Sequence, residues 1–136
     1  MEYLFEEPVI ATIGMVKYLC TVEWRGGKFI VDEPEKSGGK ALGPDPYTLL
    51  LSSLGSCTVA TLRMYIDRKG WDIPEIAVAL NMYHEVKDDI KIMVIDRNLK
   101  FLTSVTDEQR ERLMQIAKAC PVSKLLEAGM QIRTFA

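Results

Sequence analysis

The stretch GPDPYTLLLSSLGSCTVATLRMY, residues 43–65, decides how the chain folds. Asp45 has the side chain of an N-cap, able to accept orphan backbone N–H bonds, and Pro46 suits the first helical position, where its missing N–H costs nothing. From Pro46 to Lys69 no further proline interrupts, so one long helix is predicted, with Gly70 as its left-handed stop. Leu49, Leu50, Leu51, Leu54, Val59, Ala60 and Leu62 leave almost no polar face before Arg63. A helix apolar all round is a buried one, and a single small domain struggles to enclose it. Dimerisation is the expected remedy. Gly55 sits where alanine would be better by ~1 kcal/mol, which makes sense if another backbone or a ligand comes close to that turn.

Working outward, KYLCTVEW (17–24) and KFIV (28–31) are β-rich runs joined by RGG, the composition of a hairpin connection. Alternation puts Tyr18, Cys20, Val22 and Trp24 on one face, so Cys20 is expected to be a packed strand residue. Residues 32–46 hold three prolines and three glycines and form a long loop. After the helix, two strands are expected at 76–86 and 90–102, tightly joined by KDD. A second helix opens at Thr106, which has capping-box spacing to Gln109. On it Leu113, Ile116, Ala117 and Cys120 share one face, pointing Cys120 inward. Pro121 serves as the first residue of a further short helix closed by Gly129, and MQIRTF at 130–135 reads as a closing strand. There are no internal repeats or linkers, so residues 1–136 are expected to form one domain.

The chain of 136 residues has 48% hydrophobic and 26% charged residues, ordinary globular usage. Net charge is -2, and the cations are scattered instead of striped, so nucleic acid is not expected as a partner. The first fifteen residues carry three glutamates and no early cation, the wrong charge for a secretory signal. No apolar run nears the ~18 residues of a membrane span, so no membrane partner and a cytoplasmic location are expected. The lone histidine, His84, cannot supply a His-rich metal site and reads as a strand residue. No phosphate-binding glycine motif is present, and neither metal nor cofactor is expected.

Cys20, Cys57 and Cys120 are odd in number and lack CxxC spacing, which excludes a secreted disulfide framework and a zinc knuckle. Each could be a small buried hydrophobe. Cys120 differs in standing at a helix start, where free N–H groups and the dipole favour a thiolate. Spacing alone does not establish whether Cys57 and Cys120 meet.

GPDPYTLLLSSLGSCTVATLRMY, with DRKGW behind it and TDEQRERLMQIAKACPVSKLLEAG towards the end, resembles the OsmC/Ohr family of osmotically inducible and organic hydroperoxide resistance proteins. The resemblance implies an α+β fold, an intertwined homodimer with central buried helices wrapped by antiparallel sheets. It implies that Cys57 attacks an organic hydroperoxide and becomes a sulfenic acid, and that Cys120 resolves it as a disulfide later reduced by an external dithiol. It also implies an arginine from the amino-terminal hairpin beside the thiolate, for which Arg25 is the candidate; a solvated hairpin charge is the plainer reading. Tyr47, Leu50 and Leu54 are the expected substrate-binding residues. The family's glutamate in a PE pair is absent, since Pro46 is followed by Tyr47; Asp45 or Glu33 could replace it, although Asp45 is more simply a cap. Two other readings compete: a binder of a lipid or other hydrophobic small molecule with little turnover, and an inert dimer whose thiols are packed.

Overall fold

A computed structural model describes residues 2–136. The chain falls into two compact units, residues 1–50 and 51–136. In the first, β1 (Ile10–Ile13), β2 (Cys20–Trp24) and β3 (Gly27–Val31) make an antiparallel sheet in that order. The expected hairpin is present, with Trp24 opposite Gly27 across the two-residue turn Arg25-Gly26. Strand β1 was not expected: IATI is short, carries no turn signal, and is exposed at all four positions. Cys20 is half-buried.

The loop after β3 is organised by Asp32. This buried carboxylate accepts backbone N–H bonds from Glu33 at 2.8 Å and from Lys40 and Leu42 at 3.2 Å each. Burial pushes its carboxyl up, but the N–H groups of Leu42, Lys40, Glu33 and Tyr18 outweigh burial and hold it below the usual carboxylate range. A carboxyl depressed by folding contributes stability that is complete above the unfolded value of ~4 and is lost as pH falls through the folded value. Asp32→Asn should therefore melt below wild type at pH 7, with the gap narrowing at an acid pH under the unfolded value of ~4. Thermal melts at the two pH values check this; an equal gap at both would show that the charge contributes nothing.

Helix α1 (Pro46–Lys69) begins as expected, with the Thr48 N–H donating to Asp45 Oδ1 at 2.7 Å. It ends in a Schellman arrangement: Gly70 has φ +68°, its N–H bonds to the Asp67 carbonyl, and the Trp71 N–H bonds to the Ile66 carbonyl. Two expectations need correction. An 18-residue window of α1 reaches a mean hydropathy of 1.3, so this helix does have the length and apolarity of a bilayer span. Nor is it buried all round, because Met64 is 72% and Tyr47 66% exposed. The buried stripe is Leu54, Gly55, Thr58, Leu62, Tyr65 and Ile66.

Within residues 51–136, β4 (Ile76–Lys87) and β5 (Ile90–Phe101) form a two-stranded antiparallel sheet. Asp88 and Asp89 make the tight connection, both at positive φ, as a hairpin turn that matches strand twist requires. Gly55 is explained here: a Cβ at that position would lie 2.9 Å from Leu80 Cδ1 and 3.7 Å from Val78 Cγ1, so β4 side chains make the close approach. Helix α2 (Asp107–Ala117) carries the Thr106–Gln109 capping box in both directions. Helix α3 (Pro121–Ala128) follows with Cys120 as its N-cap and Gly129 after its end. Leu62 and Ile66 of α1 meet Ile73, Leu113 and Ala117 in one core. Residues 130–135 form no strand, contrary to expectation. Hydrophobic alternation in MQIRTF finds no ladder to join among the described residues.

Candidate active site

The two cysteines lie 63 positions apart, and the fold brings them together. Cys57 stands in the middle of α1, half-buried, and Cys120 is completely buried at the start of α3. Their thiols are near enough for each to shift the other's acidity. Among the described residues both are free thiols.

Local chemistry accounts for each position. Pro121 turns the chain at Cys120 into extended geometry, ψ 127°, and opens α3. The Cys120 N–H is used by the Ala117 carbonyl at 3.2 Å, and Pro121 has none, so Val122 and Ser123 supply the first free N–H groups of α3. Both point to sulfur. Burial pushes Cys120 up, yet the Cys57 thiol, the Ser123 N–H, the Thr58 hydroxyl and the Val122 N–H together hold it below an ordinary cysteine. For Cys57, burial and donation to Cys120 push its acidity down, and the Val122 N–H and Thr61 hydroxyl only partly offset that. The pair therefore titrates as a unit in which Cys120 is the more acidic sulfur and Cys57 the one that holds its proton longer. This bears out the expectation that a helix start favours a thiolate at Cys120.

Three polar groups absent from the sequence reading complete the surroundings. Thr58 is fully buried and its hydroxyl donates to the Leu54 carbonyl at 2.7 Å. Thr61 donates to the Cys57 carbonyl at 2.8 Å. Arg97, half-buried on β5, donates from Nη1 to Thr58 Oγ1 at 3.1 Å. The threonines had a signal, being hydroxyl residues one and four positions after Cys57 in an otherwise apolar helix. Arg97 had none, because its partner is 39 positions away.

A groove of about 560 Å³ is lined by Leu54, one turn before Cys57, by Ser123, whose N–H favours the Cys120 thiolate, and by Met93, Ile95, Arg97 and Glu127 among others. Leu54 is thus the expected pocket residue that lines a cavity. Tyr47 and Leu50 belong to the first unit and are exposed. Arg25 sits in the β2–β3 turn, its guanidinium 5.6 Å from the centre of the Phe5 ring and 6.0 Å from that of Trp24. Asp45 is occupied as the α1 cap. No cluster of three metal-ligating side chains exists among the described residues.

An α+β chain of antiparallel sheets and three helices, with a half-buried thiol in α1 and a buried one at the start of α3, defines the class of protein. Residues 37–135 match the family model described as OsmC-like protein, and the chain belongs to that family. Solved structures agree on the fold. The OsmC-like protein of Mycoplasma pneumoniae superposes with a TM-score of 0.73 at 17% identity, covering 92% of this chain and 89% of that one. The organic hydroperoxide resistance protein OsmC of Legionella pneumophila gives 0.67 at 16% identity, covering 92% and 91%. The organic hydroperoxide resistance protein OhrB of Bacillus subtilis gives 0.66 at 17% identity, covering 93% and 94%. No curated protein sequence matches the chain.

Proposed function

We propose that this chain is a thiol-dependent peroxidase that reduces organic hydroperoxides, with Cys57 as the attacking sulfur and Cys120 as the resolving one. The pairing of two free thiols, each acting on the other's acidity, carries the reading. Names of family members similar in fold, organic hydroperoxide resistance proteins among them, support it. Acidity and exposure point to different sulfurs. Cys120 is the more acidic but has no exposed surface, whereas Cys57 is the one a peroxide can meet.

Proton sharing resolves the conflict. Transfer of the Cys57 proton to Cys120 makes Cys57 the thiolate, which attacks the outer peroxide oxygen while the O–O bond breaks. Cys120 returns the proton to the departing alkoxide, giving an alcohol, and becomes the thiolate itself. It then attacks the Cys57 sulfenic acid, forming the disulfide and expelling hydroxide, which takes a proton to become water. Two thiols are oxidised and one hydroperoxide is reduced to alcohol and water. An external dithiol reduces the bridge by exchange, in a reducing compartment such as the cytoplasm.

Leu54, Met93, Ile95 and Leu126 in the groove favour a substrate with an apolar organic part. We also propose that two copies pair. The β4–β5 ribbon is only two strands wide and leaves Tyr83, Val86, Ile90 and Met93 uncovered, as α1 leaves Met64.

The test is one equivalent of cumene hydroperoxide added to reduced protein, followed by intact mass and peptide mapping. Loss of two hydrogens with a bridge between Cys57 and Cys120 is expected. Retention of all thiols would overturn the peroxidase reading and return the groove to simple ligand binding.

A further inference from the structure

Thr58 has one hydroxyl proton and two acceptors within reach of it. One is the Leu54 carbonyl at 2.7 Å, the ordinary back-bond of a threonine in a helix. The other is Cys120, the nearby sulfur whose thiolate the hydroxyl favours. A single proton serves one of them at a time. The Arg97 guanidinium donates to the same oxygen at 3.1 Å, reaching across from β5. Thr58 and Cys120 are both fully buried, so water does not compete for these bonds.

We propose that Arg97 is a positioning residue for the thiol pair: by donating to Thr58 Oγ1 it polarises that hydroxyl and turns its proton from the Leu54 carbonyl toward the Cys120 sulfur. Donation into a hydroxyl oxygen makes its own proton a better donor, because chained hydrogen bonds polarise one another. The sulfur gains most when it is anionic, since a bond to a charged acceptor is about twice as strong as a neutral one. Arg97 thus places positive charge one hydroxyl away from the thiolate without touching it. That role needs no arginine from the amino-terminal hairpin and no glutamate to orient one.

Other charges face Arg97. Glu127, which accepts from Ser123 Oγ at 3.4 Å, lines the same groove, and Arg110 and Lys118 line the neighbouring one. The two cations keep the surroundings positive. Glu127 works against them and is held toward Ser123.

The inference rests on the thiol pair of the proposed peroxidase but concerns its resting ionisation, so a chain that fails to reduce peroxide could still pass the following test. Thiolate absorbance at 240 nm is titrated between pH 4 and 9 in reduced full-length protein carrying Cys20→Ser, which silences the third cysteine. Arg97→Met should move the first midpoint up by about one pH unit, Thr58→Val by a similar amount, and Arg97→Lys by clearly less, since it keeps the charge. The double variant Thr58→Val with Arg97→Met should move it no further than Thr58→Val alone, the mark of two residues acting in series. Circular dichroism confirms the fold of each. An unmoved midpoint in folded Arg97→Met protein, or additive shifts in the double variant, would overturn the proposal.

Discussion

Cys57→Ser protein should consume cumene hydroperoxide on the order of 10³-fold more slowly than wild type, or slower still, in an assay driven by dithiothreitol. The change keeps shape and removes only the nucleophile, because a serine hydroxyl does not ionise at neutral pH and the Cys120 sulfur is far too weak a base to deprotonate it. Cys120→Ser should behave differently. Its Cys57 still meets peroxide and forms a sulfenic acid, but no second sulfur captures it, so one equivalent of oxidant leaves a species that dimedone labels at Cys57. Turnover then stalls while the first oxidation survives. The pattern is diagnostic because acidity and exposure favour opposite sulfurs. Were Cys120 the attacker, dimedone would label Cys120 in the Cys57→Ser protein, and the Cys120→Ser protein would resist the first oxidation. Wild-type turnover in Cys57→Ser would end the peroxidase reading.

The largest stability effect is expected at Leu62. This side chain has no exposed surface and packs with Ile66, Ile73 and Leu113, so it joins α1 to α2. Leu62→Ala should cost ~2–5 kcal/mol, the lost transfer of its methyl groups plus a cavity the surroundings only partly close. That lowers the melting temperature by roughly 10 °C or more. Met64→Ala, two residues on but 72% exposed, should fall within about 0.5 kcal/mol in dilute protein. Denaturant melts of both variants in the reduced state check the contrast. A Leu62→Ala protein as stable as wild type would mean that this core is not where the unit is held.

What could be read from the residue order is what local chemistry dictates. Asp45 and Pro46, Thr106 with Gln109, Pro121, and the glycines at 70 and 129 each solve a helix-end problem with atoms a few positions away, and each helix lies where they put it. The β2–β3 and β4–β5 hairpins were legible for the same reason, since their turns are two residues long. Strand β1 and the irregular 130–135 segment were not, because pairing is decided by a distant partner. The site divides in the same way. Cys57 and Cys120 stand out by context, and Thr58 and Thr61 are the only hydroxyls in the next turn of an otherwise apolar helix. Arg97 becomes meaningful only when β5 crosses α1.

The N-cap position of Cys120 has one more consequence. The N–H groups of Val122 and Ser123 that favour its thiolate belong to the main chain. Such a field carries no titrating group, so neither acidification nor alkalinisation switches it off, and in a buried setting dissolved salt barely dims it. No replacement of a neighbouring side chain deletes it either, short of unwinding the first turn of α3. Part of the thiol's acidity is thus an inheritance of helix geometry, and that part persists however the surrounding side chains drift in sequence.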